Sequence, residues 1–356
     1  MNRILLKIPF YKLWRKFGFP KILPMNLTIS PSFSCNSRCQ TCNAWRRKSK
    51  EMTNTEWDKV FKSLGRAPFW VTISGGEPFL KKDLVGLVKI IYKNSHPRII
   101  NIPTNGLLFD IIPHAVDKIL AACPKSEIII NVSLDGIKEK HDRIRRIKGN
   151  FDKTIKTYQA LRGLSYPNFT LGIHTVISKF NVKDVPEIYQ YTIKNLKPDQ
   201  YITEIAEERV ELGTIDKDIA PSPENYLKTI NFLAEDISNR KWGKISKITQ
   251  SFRLEYYNLV KKILIERKQI IPCYAGFASA QIAPNGDVWP CCIKSENMGN
   301  LPKNGYNFRK IWFSKKANMI RNNIKRKKCF CPLANASYTN MLLSPKVLSK
   351  IARRII

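Results

Sequence analysis

Between residues 26 and 205 six short runs rich in β-branched side chains alternate with amphipathic helical runs, and this alternation restricts the fold more than any other feature of the chain. Strands are predicted over residues 26–30, 69–74, 99–103, 127–134, 170–177 and 200–205, with helices over 55–64, 83–92, 110–121, 151–162 and 184–195. Thr53 with Glu56 reads as a capping box opening the first of these helices, and Gly65 as its stop. A parallel sheet wrapped by helices buries the apolar faces of both element types. Alternation does not separate an open doubly wound sheet from a barrel, but in both the ligand sits at the C-terminal ends of the strands. Four chemistry-bearing loops fall there: Cys35 to Cys42 after the first strand, Gly75-Gly76-Glu77-Pro78 after the second, Thr104-Asn105-Gly106 after the third and Asp135-Gly136 after the fourth.

The nine cysteines are placed unevenly. Cys35, Cys39 and Cys42 form one cluster, Cys273, Cys291, Cys292, Cys329 and Cys331 lie beyond residue 267, and Cys123 stands alone before Pro124 as an expected core thiol. A chain of 356 residues builds a core without a disulfide framework, so metal binding in a reducing, cytoplasmic setting is the expected use. Three thiolates at this spacing can wrap one metal ion or one iron–sulfur cube, and three ligands leave one of a cube's irons open. A zinc knuckle with its fourth ligand elsewhere is the competing reading.

With 43% hydrophobic and 10% aromatic residues the chain is too apolar to be disordered, although its net charge is +33. No run approaches the roughly 18 apolar residues of a membrane span. The apolar stretch near the N-terminus is broken by Lys7, Lys12, Arg15 and Lys16, so neither a spanning helix nor a cleavable signal is expected. Residues 1–50 hold eleven Lys or Arg and residues 297–356 hold fourteen, with no acid in either stretch. Such ends suit an anionic partner, whether membrane surface, nucleic acid or phosphorylated substrate; the alternative is a generally lysine-rich solvated surface. Residues 3–21 interleave Ile4, Leu5, Ile8, Phe10, Tyr11, Leu13, Trp14 and Phe17 with Arg3, Lys7, Lys12, Arg15, Lys16 and Lys21. That segment could lie in a membrane interface, giving peripheral attachment at the inner face, or pack its aromatic side on the barrel and close it.

The chain is expected to divide into a basic amphipathic extension (1–25), a barrel (26–215), a helical linker (216–266) that opens after Pro221 and Pro223, a cysteine-rich domain (267–335) and a basic tail (336–356). Within the cysteine-rich part, short strands at 280–283 and 288–291 flank the turn Pro284-Asn285-Gly286-Asp287.

The cysteine triplet directly after the first strand, with Gly75-Gly76-Glu77-Pro78 after the second, resembles the radical S-adenosylmethionine (SAM) superfamily. The likeness extends to Asn105-Gly106, Ser133-Leu134-Asp135-Gly136 and His141 to Arg145. It implies an α/β fold, a partial (β/α)6 TIM-type barrel, with a [4Fe-4S] cluster on Cys35, Cys39 and Cys42 whose open iron is chelated by SAM. The resemblance further implies that Gly75, Gly76, Glu77 and Asn105 serve the cofactor, with Glu77 accepting from its α-amino group. Ser133 and Asp135 are placed for the ribose, and Arg145 for the methionyl carboxylate, with Arg143 and Arg146 as rivals. Phe33 or Ile173 could stack on the adenine.

Cys273, then Gly286 and Cys291, and later Cys329-x-Cys331 resemble the SPASM or twitch type of extension. Five cysteines suffice for one auxiliary iron–sulfur cluster, on Cys273, Cys291, Cys329 and Cys331. Residues i and i+2 of a strand project alike, which favours Cys329 with Cys331 and makes Cys292 a buried thiol. The resemblance implies reductive cleavage of SAM to a 5′-deoxyadenosyl radical, hydrogen abstraction from a substrate carbon, and an auxiliary cluster that takes an electron or positions substrate. The substrate would be a peptide, a sugar or a lipid-linked molecule, and the electron donor a low-potential protein such as flavodoxin or ferredoxin. The alternative, a non-catalytic zinc or iron–sulfur protein that binds nucleic acid, has no use for the Gly-Gly-Glu-Pro loop.

Overall fold

The computed structural model of the protein describes residues 6–239, 244–327 and 329–355. Arg3, Ile4 and Leu5 of the predicted amphipathic segment lie outside the described residues.

The six predicted strands form: β1 (Asn26–Ser32), β2 (Trp70–Gly75), β3 (Ile99–Thr104), β4 (Glu127–Ser133), β5 (Phe169–Ile177) and β6 (Gln200–Ile205), each parallel to its sequence neighbour. Their apolar runs fit strands covered on both faces, as in β4, where Ile128, Ile130 and Val132 are buried beside Ile129. Helices α2 (Asn54–Leu64), α3 (Leu84–Ser95), α4 (Ile112–Ala122), α5 (Glu139–Arg145), α6 (Asn150–Arg162) and α7 (Val185–Tyr191) occupy the connections, and α1 (Ile8–Phe17) precedes them. The capping box is present: Thr53 Oγ1 accepts from Glu56 N at 3.3 Å, and Glu56 Oε2 accepts from Thr53 N at 2.7 Å. The predicted helix at 184–195 does not continue as α-helix, passing into a π-turn over Thr192–Leu196.

The cysteine-rich segment extends the same sheet. β7 (Ser279–Ile282) pairs parallel with the free edge of β1, Asn26 facing Ser279 and Ile29 facing Ile282. β8 (Asp287–Trp289) and β9 (Gly299–Asn300) follow antiparallel, giving the order β6-β5-β4-β3-β2-β1-β7-β8-β9. Ala280 and Ile282 therefore belong to the barrel's hydrophobic core. The predicted linker is two helices, α8 (Pro223–Asn239) and α9 (Lys244–Glu266). After α10 (Phe308–Trp312), α11 (Lys315–Lys325) and α12 (Ala334–Leu342), the chain closes with α13 (Pro345–Ile355), which lies against α9. Val347 and Ile351 of α13 are buried, and Arg354 Nη2 meets the buried Glu255 at 2.7 Å. Its apolar side is thus used within the fold. Among the described residues no helix is long and apolar enough to cross a membrane.

The N-terminal helix packs one face on the protein, but on the C-terminal segment and not over the barrel's opening. Trp14 stands edge-on to Phe277 at 5.4 Å and Trp312 at 6.1 Å, with the Arg321 guanidinium 4.6 Å from its ring centre. Tyr11 donates its hydroxyl to Leu23 O at 2.7 Å, and Arg15 Nε donates to Cys273 O at 3.0 Å. Trp14→Ala should cost about 3 to 5 kcal/mol of stability. Phe17→Ala, on the exposed side of the same helix, should change stability by less than about 0.5 kcal/mol in the same denaturant titration.

Candidate functional site

Cys35, Cys39 and Cys42 lie in the loop that leaves β1, and hydrogen bonds to the end of α5 shape that loop. Ser37 Oγ and Arg38 N both donate to Arg145 O at 3.2 Å, and Gln40 N donates to Ile144 O at 2.9 Å. Donors approach all three sulfurs: Ser37 N and Asn105 Nδ2 reach Cys35 at 3.4 and 3.7 Å, Arg145 Nη1 reaches Cys39 at 3.6 Å, and Ala44 N reaches Cys42 at 3.4 Å. Ser37 Oγ lies 3.2 Å from Cys39 Sγ. Burial pushes the Cys35 thiol up to about 11 and Cys42 to about 12, so these thiols need a bound cation to lose their protons at neutral pH. Donors aimed at sulfur and a cation demand fit thiolate ligands of an iron–sulfur cluster.

The two glycines are required by contact with this loop. Gly75 has φ +105°, and a Cβ there would stand 2.3 Å from Ser32 O; at Gly76 it would stand 2.1 Å from Ser34 O. Gly76 N and Glu77 N donate to those same carbonyls at 2.9 Å, so the β2 loop is laid against the start of the cysteine loop. The Glu77 carboxylate is buried and accepts from Thr104 Oγ1 at 2.9 Å, Phe79 N at 3.2 Å and Asn105 N at 2.7 Å. Burial outweighs these bonds and pushes its pKa up to about 7. Glu77 thereby ties the β2 loop to the β3 loop and holds Asn105 against Cys35.

Asp135 and Arg145 form a buried pair at 2.6 Å, and Asp135 Oδ1 also accepts from Val176 N at 2.9 Å. The residues expected on ribose and on carboxylate are therefore bonded to each other. Arg145 Nε is buried without a hydrogen-bond partner among the described residues, while Arg143 and Arg146 are exposed. An orphaned guanidinium N–H on the cavity wall fits the carboxylate of SAM. Ser133 lines the same cavity. Phe33 and Ile173 do not: Phe33 packs beneath the Arg47 guanidinium and Ile173 is core, so the apolar wall comes from Val176, Ala206, Leu212 and Ile219.

Three further groups on the wall were passed over in the sequence: Glu204, Glu207 and Arg209, at and just beyond the end of β6. The strand-end rule that selected the first four loops applies equally to this one. Arg209 Nη2 lies 3.5 Å from Glu204 and 3.7 Å from Glu207, and Glu207 Oε1 and Arg209 Nε are buried without hydrogen bonds among the described residues. His141, part of the resembling segment, carries no assigned role in the sequence, because a histidine inside a basic helix shows no ligand spacing. Its Nδ1 accepts from Asp135 N at 3.1 Å and its Nε2 lies 3.2 Å from Asn150 Oδ1, which fixes the Nε2–H tautomer.

The remaining cysteines gather at a second place. Cys273 lies within electrostatic reach of Cys329, Cys291 of both, and Cys331 of Cys273 and Cys291. Cys329 and Cys331 sit in irregular backbone, so strand alternation is not what aligns them. Cys292 is buried beside Cys291 and Cys331 and also lies within electrostatic reach of the buried Glu211, which accepts from Ser30 Oγ at 3.1 Å and from Gln281. Cys123 is fully buried. The loop after β6 links both places: Asn43 N donates to Leu212 O at 2.8 Å and Arg47 to Glu211 O at 2.6 Å on one side. On the other, Val210 N donates to Ile293 O at 3.0 Å and Glu211 N to Cys292 O at 3.3 Å.

Residues 29–192 match the model of the radical SAM superfamily, and residues 273–332 match that of the SPASM iron–sulfur cluster-binding domain. The chain is a radical SAM protein with a SPASM domain. This radical SAM chain is 30% identical over 168 residues to the mycofactocin maturase MftC of Mycolicibacterium smegmatis, a match covering 46% of the chain and 40% of that protein. With the Fe-coproporphyrin III synthase of Methanosarcina barkeri, where 37% is covered, the chain spans about two fifths of the length of these two relatives. It is 26% identical over 313 residues to the AdoMet-dependent heme synthase of Methanosarcina barkeri, covering 82% of each. The fold resembles that of Streptococcus suis SuiB bound to S-adenosylmethionine, with TM-score 0.65 at 18% identity over 88% of this chain and 71% of that one.

Two outcomes check this geometry. Gly76→Ala should displace the cysteine loop through Ser34 O, so that reconstituted protein loses about four irons while the auxiliary site keeps its own. His141, pushed down to about 4 by burial, stays neutral in the folded chain while the unfolded chain takes a proton near its ordinary pKa of about 6.5. Stability should therefore be full above that value and fall as pH drops from about 6.5 to about 4, by up to about 3 kcal/mol, in urea unfolding. In His141→Gln, which keeps an acceptor for Asp135 N, this slope should flatten.

Proposed function

We propose that the protein is a radical SAM enzyme that removes a hydrogen atom from a carbon of a peptide and carries the product to a net oxidation. The observation that carries the reading is one cavity bounded by the three cysteines, the Asp135–Arg145 pair and the Glu204–Arg209–Glu207 wall, with Glu207 also within electrostatic reach of Cys331. When bound, the cofactors supply reductive cleavage of SAM to a 5′-deoxyadenosyl radical at the first cluster and a one-electron acceptor at the second. Cys35, Cys39 and Cys42 would hold the first cluster, and Cys273, Cys291, Cys329 and Cys331 the second.

The residues divide the remaining work. Arg145 Nε is free to bind the cofactor's carboxylate, and the buried Asp135 keeps the guanidinium in place. Glu204, Glu207 and Arg209 face the substrate side, two carboxylates against one guanidinium. A wall carrying two carboxyl groups beside one guanidinium offers acceptors to amide N–H groups and amines, which supports a peptide over the chemistry named for the heme synthase relative. The maturase relative, and a structure of SuiB bound to its precursor peptide, support the same choice. Burial pushes the Glu207 carboxyl up to about 8, so it mostly holds its proton at neutral pH and can take one from the substrate only as the pH approaches that value. The reading requires a low-potential one-electron donor of the flavodoxin or ferredoxin kind.

Anaerobic reconstitution should load about eight irons per chain, and reduction with SAM should yield 5′-deoxyadenosine. Cys39→Ala should abolish cleavage, whereas Cys331→Ala should keep cleavage, load about four irons and lose peptide oxidation. Bound zinc with no cleavage would overturn the reading.

A further inference from the structure

The two acid-free ends of the chain meet in the fold. Arg321 of α11 stacks on Trp14 of α1, and Lys325 Nζ donates to Lys16 O at 3.0 Å. The sequence stretches 1–50 and 297–356 to which these helices belong hold eleven and fourteen basic residues and no Asp or Glu. Lys16, Lys21, Lys315, Lys316, Lys325 and Arg326 are exposed.

The same helix carries an unpartnered apolar stripe. Leu6, Phe10, Leu13 and Phe17 follow the spacing four, three, four, which aligns them along one side of α1 and the turn before it. They are 70%, 47%, 42% and 66% exposed, and Phe19 just beyond is 76% exposed. Five of the twelve large apolar side chains exposed among the described residues thus fall within residues 6–19, a density that solvent alone does not favour. Burial of Ile8, Tyr11 and Trp14 on the opposite side holds the stripe outward.

We propose that this face seats the protein on an anionic lipid surface, with Leu6, Phe10, Leu13 and Phe17 entering the acyl boundary and the surrounding lysines meeting the headgroups. A docked helix with an apolar ridge and a cationic surround is the chemistry of an interfacial helix, and here it is pre-ordered by Trp14. A second copy of the chain would bring the same exposed lysines face to face and be repelled. Nucleic acid would use the lysines but leave the leucines and phenylalanines in water. This inference stands apart from the proposed reaction, because it uses no residue of the cavity.

The test uses the full-length reconstituted protein in vesicle co-sedimentation. It should bind phosphatidylglycerol-containing vesicles and not pure phosphatidylcholine vesicles, with binding that weakens as salt rises. The variant Phe10→Gln, Leu13→Gln, Phe17→Gln should bind at least about tenfold more weakly, while its circular dichroism, iron content and SAM cleavage match the parent. Equal binding by parent and variant, or no binding to anionic vesicles, would overturn the proposal. So would a parent dimer in sedimentation that the triple variant abolishes, or tighter binding to single-stranded DNA than to the vesicles.

Discussion

Everything at the site depends on β1 being hydrogen-bonded in parallel on both sides, to β2 and to β7. The strand delivers the cysteine loop, and with neither edge free its end is fixed against the Gly75-Gly76 turn on one side and the C-terminal segment on the other. Closing an open edge this way also removes the pairing hazard that an exposed parallel strand presents. Because β7 contributes to the barrel's own sheet, the SPASM segment cannot swing relative to the radical SAM segment without breaking that ladder. The loop after β6 adds a second tie, bonded to Asn43 and Arg47 on one side and to Cys292 and Ile293 on the other. Two cysteine groups distant in sequence are thereby held in a fixed relation.

Within that frame the wall of the site is a chain of buried polar contacts in which each member positions the next. Glu77 holds Asn105, Asn105 touches Cys35, Arg145 touches Cys39, and Asp135 holds Arg145 while His141 holds the backbone of Asp135. Removing one member of a buried ion pair leaves an unpaired charge and costs about 3 to 5 kcal/mol, so such a chain is stable only when nearly complete. Most of the polar side chains at the strand ends are therefore positioning groups first.

What the sequence made legible was local. Strand and helix periodicity and the Thr53–Glu56 box each occupy a few consecutive residues, and the structure reproduces them apart from the π-turn that replaces the end of the helix predicted over 184–195. Long-range pairings were opaque. Nothing in Ala280 to Ile282 says that it will pair with Leu27 to Ile29, since any short apolar strand reads alike. The N-terminal helix was ambiguous for a different reason: apolar residues surround it, so periodicity does not say whether the Tyr11–Trp14 side or the Phe10–Phe17 side packs. Tyr11's bond to Leu23 O and Trp14's contacts with Phe277 and Trp312 decide it. Glu204, Glu207 and Arg209 were hidden because a Glu-rich loop reads as a solvated one until its burial is known.

Charge is distributed in opposition to where a basic chain would be expected to keep it. The ends of the chain have no acid, yet four carboxylates, Glu77, Asp135, Glu204 and Glu207, line one cavity against two guanidiniums, Arg145 and Arg209. Three polar atoms there, Glu207 Oε1, Arg145 Nε and Arg209 Nε, are buried without partners among the described residues. Buried groups in that condition raise the free energy of the empty site. A ligand that brings both positive charge and a carboxylate relieves it, and SAM brings a sulfonium and an ammonium with one carboxylate. Occupancy would then stabilise the fold in proportion to binding. The unpartnered polar atoms of the cavity and the +33 of the whole chain are thus separate features, one confined to the site and the other spread over the chain.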